Sequence, residues 1–376
     1  MINVLELLYS LKGSYSGVFV ALWSACVLVT AIGVSVQKKP WSRYFETLAY
    51  WILALLMVAF AAYRPIGIAR DDLAYLEIYN GVCPTLACGQ WLQGLRDWGW
   101  YSLVGLLKSL VADPKVMLWI GAAGLLVKFG VIYRLAKEPL LALMLFTGLF
   151  YEVLDLTAWR VALASTVFMI GFWLLAEGRT RLGWVVTLAS GLFHKQAFSA
   201  ALVLPGLVLR HRYYWLIVLV TLPIAMMLIG WYPDIPAIVQ RYGGDVISSL
   251  AVQQGLDAYI GKKAASGYLD WRIAPIVYYP LLALSVWLAR DVFTQNNRLY
   301  AYTSISVVWA AWSLWGFASL PDVQVRFFDF MILPVVFLAG ACRFDWWRLS
   351  VVVAVSGIYV VKYNVLHPLL TGGWAS

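Results

Sequence analysis

Four groups of ionisable residues stand at the edges of long apolar stretches, where charge is costly and a functional role is the first hypothesis. Arg64, Arg70, Asp71 and Asp72 follow the second stretch, and Glu152, Asp155 and Arg160 flank the junction of the fourth and fifth. His194 and Lys195 interrupt the run 183–209, and Asp322, Arg326 and Asp329 open the ninth stretch. Several arginines at one depth suit a multiply charged anion: a guanidinium is a planar fork that binds phosphate oxygens bidentately and keeps its charge when partly desolvated. His194, one of three histidines, is suited to act as a base or a phosphate ligand. A single arginine near a helix end ordinarily reaches for the interface, and a lone histidine is ordinarily structural. That reading leaves unexplained why carboxylates and a histidine recur at the same level. No GxxxxGK[ST] phosphate loop, no GxSxG turn and no acidic cluster with metal-ligand spacing occurs. The expected chemistry is therefore metal-independent transfer from an already activated donor, without a cofactor.

The elements that must position these groups follow from composition. Of 376 residues, 62% are apolar and 12% charged, whereas a soluble chain carries about 25% charge. Mean hydropathy is +0.78, and 20 Trp and 22 Tyr leave too few polar residues to cover a water-facing surface. A soluble enzyme, a disordered chain and a secreted disulfide scaffold are excluded. A membrane β-barrel is excluded too, because its strands alternate apolar and polar residues, whereas these stretches are apolar all round. The class is all-α, a polytopic membrane protein of about 10–12 transmembrane or re-entrant helices. Expected spans are 16–36, 45–63, 116–136, 139–156, 158–177, 213–231, 273–290, 299–318, 324–342 and 346–363. The first lacks a small-residue cleavage site and reads as a retained span.

The net charge of +9 would suggest nucleic acid in a soluble protein; here it reads as orientation. Lys38, Lys39 and Arg43, then Arg134 and Lys137, Arg179 and Arg181, Arg210 and Arg212, Arg290 and Arg298, and Arg343 and Arg348 fall between spans and are expected to face the cytoplasm. Consistent alternation then requires 183–209 to enter and leave on one side. A run of that length covers about 40 Å as α-helix, too short to cross a ~30 Å core twice, so two short helices meeting at His194 are expected. Residues 1–376 form a single integral membrane domain, with 64–115 and 232–272 facing outward and Trp98 to Val111 lying at the interface. Cys83 and Cys88, closely spaced in the first outward segment, are disulfide candidates in an oxidising compartment. Cys26 and Cys342 sit in spans and are expected to pack.

The segment Arg64-Pro65-Ile66-Gly67-Ile68-Ala69-Arg70-Asp71-Asp72-Leu73-Ala74-Tyr75, followed by Tyr79, resembles the Arg…Gly…Asp-Tyr…Tyr segment of EpsG-type proteins, which are Wzy-like polymerases of bacterial exopolysaccharide and O-antigen. Trp100 to Val104, Thr157 to Ala164, Leu188 to Ala197 (with its Phe-His-Lys) and Arg326 to Phe330 are similar to later elements of that family, in the same order. Two departures stand out: Asp71-Asp72-Leu73 replaces the usual Asp-Tyr pair, and Gln196 replaces Ser or Thr. The resemblance implies a GT-C-like glycosyltransferase in the bacterial cytoplasmic (inner) membrane, with its active site facing the periplasm or outside. Its substrates would be a growing glycan on undecaprenyl pyrophosphate as donor and a second lipid-linked oligosaccharide as acceptor. A chain-length regulator protein is an expected partner and nucleic acid is not. On that reading His194, Asp71 or Asp72 accepts the hydroxyl proton, and Arg64, Arg70, Arg160, Lys195 and Arg326 bind the pyrophosphate. Tyr75 and Tyr79 make further substrate contacts.

Other functions use the same features. A flippase for the same lipid needs cationic groups along both halves of the membrane, whereas these charges favour one half. An O-antigen ligase, or a membrane O-acyltransferase using His194, would need a different acceptor or an acyl donor.

Overall fold

Stretches that are apolar all round can satisfy their backbone groups in lipid only as helices, and helices are what form. The computed structural model describes residues 15–37, 39, 41–67, 71–81, 97–231, 233, 274–293, 297–318, 321–342 and 345–362. Among these the regular structure is entirely helical. In chain order the α-helices are α1 (Tyr15–Val36), α2 (Ser42–Tyr63), α3 (Asp72–Gly81), α4 (Trp98–Leu110), α5 (Val116–Leu135), α6 (Pro139–Phe146), α7 (Trp159–Ala176), α8 (Thr180–Ala189) and α9 (Tyr213–Leu228). They continue with α10 (Ala274–Phe293), α11 (Asn297–Gly316), α12 (Pro321–Ile332), α13 (Val335–Ala341) and α14 (Trp346–Val361). Residues 82–96 and 234–273 lie outside the described residues, and so do Cys83, Cys88 and most of the second expected outward segment.

Among the described residues, seven helices or helix pairs are long and apolar enough to cross a membrane, and α9 and α14 are shorter apolar helices. The expected span at 299–318 is helix α11, which is not among the seven. It buries Tyr300, Tyr302, Thr303 and Ser304 and packs against α9, α10 and α12. Surrounded by protein, it has little lipid to face and tolerates hydroxyls that a lipid-facing helix would expose.

Two spans depart from a plain α-helix. The span from Pro139 to Thr157 begins as α6, with Pro139 in its first turn. It widens into an eleven-residue π-helix over Thr147–Thr157, a form most often found as a single turn at functional sites. The expected span at 324–342 is broken into α12 and α13 at Leu333 and Pro334, because proline cannot donate to the preceding turn.

The run 183–209 reverses direction. Helix α8 packs along α7 at close range: a Cβ on Gly171 would meet Thr187, and one on Gly183 would meet Leu175. A short 3₁₀ turn, Ser190–Leu192, follows. The chain then folds back, Ser190 Oγ donating to the Ala197 carbonyl at 3.3 Å and Gly191 lying against the Phe198 ring. The return limb, Lys195–Leu209, is a fifteen-residue 3₁₀ helix. At about 2 Å per residue this form stretches to ~30 Å. His194 is the corner.

The loops sort to two ends. At one, Glu138 N–H donates to the Gly340 carbonyl at 2.8 Å, Gly178 lies against the Arg298 guanidinium, and Arg348 pairs with Asp291 at 2.5 Å. Tyr213 OH bonds the Val286 carbonyl at 3.2 Å, so the hairpin through His194 starts and finishes at this basic end. The ends of α2 and of the π-helix and the starts of α3, α4 and α7 gather at the other.

Candidate active site

At that second end α2 stops at Arg64, whose extended backbone carries the chain into the turn Pro65-Ile66-Gly67. Gly67 has φ +104°, a left-handed conformation that side chains other than glycine disfavour. The turn allows its N–H to reach Asp72 Oδ2 at 3.0 Å. Asp72, the first residue of α3, takes a bidentate grip from Arg64, with Nη2 at 2.8 Å from Oδ1. The Trp159 indole N–H also donates to its Oδ1 at 3.0 Å, while Arg64 Nη2 donates on to the Leu156 carbonyl at 2.7 Å. Both charges are buried. This clamp fastens α2 and α3 to the end of the π-helix and the first residue of α7.

Trp159 stacks on Tyr75, centroids 5.3 Å apart and planes 11° from parallel, and Trp100 of α4 meets the same ring edge-on at 5.7 Å. The Arg160 guanidinium lies 5.5 Å from the Tyr75 centroid. Burial raises the Tyr75 phenol above its ordinary value; Arg160, and more weakly Arg326, draw it back down, and Asp71 pushes it up. Three groups from three chain segments thus act on one phenol: Arg160 from α7, Arg326 from α12, and Asp71 directly before α3.

Beyond Tyr75, Arg160 Nη1 donates to Asp97 Oδ2 at 2.6 Å. The same oxygen stands 3.8 Å from His194 Nδ1, within ion-pair range and beyond hydrogen-bonding distance. Asp97 and His194 are buried, whereas the Arg160 side chain is 25% exposed. Its Nε is buried and makes no hydrogen bond among the described residues. Asp97 directly precedes α4, and that helix presses Gly99 onto the backbone of Leu192, where an added Cβ would lie 3.1 Å from the carbonyl oxygen. Close contact at Gly99 holds the hairpin corner against α4 and brings His194 to Asp97. The N-terminus of α7 adds the positive end of its dipole beside Arg160.

The structure distributes the expected site residues as follows. It brings Arg160, His194, Tyr75 and Asp71 into one neighbourhood, with exposed Arg326 in electrostatic reach. Arg64 and Asp72 are engaged with each other, which gives them a positioning place. Tyr79 braces α4: its hydroxyl donates to the Val111 carbonyl at 2.8 Å, and Lys108 donates to its carbonyl at 3.1 Å. Arg70 lies outside the described residues, as does the side chain of Lys195. Asp329 belongs to a separate buried group, acting on Lys362, Tyr278 and Tyr359, with Lys362 Nζ donating to Tyr278 OH at 3.0 Å. Asp97 was not among the expected residues. Its signal was a lone carboxylate directly before the apolar helix Trp98–Leu110, which reads first as a helix cap; it makes no side-chain capping bond there.

A bundle of membrane-crossing helices with arginines, carboxylates and a histidine gathered at one end defines a polytopic membrane protein with a site for an anionic substrate. The sequence matches the EpsG family over residues 47–366, and the chain belongs to that family. Membership points to a Wzy-like polysaccharide polymerase in general, acting on lipid-linked oligosaccharides. No curated protein and no solved structure shows a significant match to the chain.

Proposed function

We propose that the protein is a glycosyltransferase that joins undecaprenyl-pyrophosphate-linked oligosaccharide repeat units on the outer face of the bacterial cytoplasmic membrane. The observation that carries this reading is the meeting of Arg160, Asp97 and His194 beside Tyr75, with Arg326 in reach. On this reading the basic end of the bundle faces the cytoplasm and the site faces outward.

The acceptor hydroxyl attacks the anomeric carbon of the donor from the face opposite the pyrophosphate, inverting that carbon. The carbon–oxygen bond to the pyrophosphate breaks, its electron pair staying on the phosphate oxygen, and the hydroxyl proton passes to the His194 ring. Asp97 stabilises the charged imidazole that results and also holds Arg160. Arg160 and Arg326 meet the charge growing on the pyrophosphate, where stabilisation counts most because it develops in the transition state. Arg70, Lys195 and Asp71 belong to the same site in this proposal: the two cations as further pyrophosphate ligands and Asp71 as the alternative base. Arg64 and Asp72 hold Trp159 and Tyr75 in place.

One observation favours polymerisation over flipping the lipid across the membrane. Lys128, a cation deeper in the bundle, is fully buried and neutralised by Asp155, so it is not offered to a passing pyrophosphate. The test is to incubate the purified protein with a synthetic lipid-linked repeat unit of the host's own polysaccharide. A ladder of lengthening products is expected. Transfer to a non-polymer acceptor with no ladder would instead identify a ligase, and no transfer with active lipid translocation a flippase.

A further inference from the structure

We propose that Lys128 and Asp155, a buried ion pair one layer below the site, are positioning residues that set the π-helix and through it the placement of Arg160. The proposal rests on the reading of Arg160 as a ligand of the donor pyrophosphate. Lys128 Nζ lies 2.5 Å from Asp155 Oδ1, and both side chains are buried, at 0% and 1% exposure. Ions inside a membrane bundle are expensive and persist where they do something. Replacing such a pair by apolar residues often costs no stability, so folding alone is a weak reason for it.

What the pair touches gives the reason. Asp155 lies near the end of the π-helix, which packs against α1, α5, α7 and α14. The next residue, Leu156, presents its carbonyl to Arg64 Nη2 at 2.7 Å. Arg64 holds Asp72, Asp72 takes the Trp159 indole N–H at 3.0 Å, Trp159 stacks on Tyr75, and Arg160 rests over Tyr75. Each link is a direct contact or a peptide bond. Lys128 is on α5, which packs against α7 through Gly124, where an added Cβ would meet Thr166 Oγ1 at 2.9 Å. The pair therefore ties the π-helix to a helix already locked on α7. A rotation of the π-helix would carry the Leu156 carbonyl away from Arg64 and loosen every later link.

The test uses the double apolar variant Lys128→Met/Asp155→Leu, which leaves no uncompensated charge, with each single neutralisation beside it. A cysteine at Ile66, a half-buried residue packed on the Tyr75 and Trp159 cluster, reports on the clamp by its thiol labelling rate in detergent. The background has Cys83 and Cys88 replaced by serine. The second readout is KM against kcat for the lipid-linked donor. In the double variant, labelling and KM are both expected to rise about tenfold, equivalent to ~1.4 kcal/mol of lost ordering, with kcat changed less. If the double variant labels and binds donor like the parent, the pair only balances charge and the proposal is wrong. If labelling rises while no protein, parent included, makes polymer, the positioning inference stands and the functional reading fails.

Discussion

Replacing Arg160 by lysine isolates the step on which the functional reading depends. Arg160 is one of two described arginines in reach of Tyr75, and its Nη1 is held by Asp97 at 2.6 Å. The guanidinium also hydrogen-bonds the Tyr75 side chain, and its remaining N–H groups are the ones offered to a ligand oxygen. A lysine at this position has a single nitrogen, and the nearest anion is the buried carboxylate of Asp97, so the ammonium stays there and the ligand loses its contact. One charge-assisted hydrogen bond contributes about 1.5–3 kcal/mol, which corresponds to a loss of roughly ten- to a hundredfold in kcat/KM if the bond is made in the transition state. Arg160→Lys is more informative than Arg160→Ala, because alanine would also strand the Asp97 charge and disturb the fold. The assay is the initial rate of ladder formation against donor concentration, with Arg290→Lys, exposed at the opposite end, as the control. If Arg160→Lys stays within about twofold of the parent at equal expression, Arg160 serves the interface alone and the pyrophosphate site is misplaced.

The remaining predictions address other parts of the structure. His194→Ala is expected to stop polymer growth with the protein still folded in the membrane; ladders of normal length would remove His194 from the mechanism. Arg64→Leu should instead deplete the folded protein, because breaking a buried ion pair costs about 3–5 kcal/mol. A stable, well-expressed variant in a thermal-shift assay would contradict the clamp. Glu138 at the basic end is pushed up to about 7 by burial, with Glu46 adding to the shift and Arg43 opposing it. A raised carboxyl pKa means the folded state holds the proton more tightly than the unfolded one, so stability falls as pH rises from the ordinary value of 4.5 through 7 and is then level. Glu138→Gln should therefore melt higher than the parent above pH 7 and lose that advantage toward pH 4.5; a pH-independent difference would rule this out. A cysteine at Ser109, exposed near the end of α4, should label from outside in intact cells, and protection there would reverse the proposed orientation.

Most of the helical plan can be read from hydropathy, since a lipid-facing segment has to be apolar along its whole length. The expected spans 116–136 and 158–177 correspond to Val116–Leu135 and Trp159–Ala176, and the first two agree with Tyr15–Val36 and Ser42–Tyr63 to within three residues. Hydropathy does not register what happens inside a span. Neither the π-helix at Thr147–Thr157 nor the ion pair across it has a periodic signature, because Lys128 stands alone in the middle of its apolar run and Asp155, 27 residues on, shares its run only with Glu152. Pro334 falls inside the span expected as continuous over 324–342, although a proline inside an apolar run is a breaker. The Phe193-His194 corner was readable: a polar break cannot face lipid and has to line protein or water.

The site was legible as a level in the membrane but not as a set of partners, and Arg64 and Arg160 show why. Both are arginines at helix ends at the same end of the bundle, and residue type and depth treat them alike. The difference lies in what meets the guanidinium. Asp72 takes both Arg64 amino groups on its two oxygens while Leu156 accepts a third bond, so the fork is filled by the protein and fastens helices together. Asp97 takes one Nη1 bond from Arg160 on an oxygen that also faces His194, and Tyr75 makes a further side-chain bond to the same guanidinium, so the cation is oriented while N–H groups of its fork are left over. Matched bidentate geometry favours structure, and a shared single contact leaves charge to bind something else. Whether a carboxylate meets an arginine on two oxygens or one depends on the approach of segments more than 60 residues apart, as Asp97 and Arg160 are, and only the folded chain decides it.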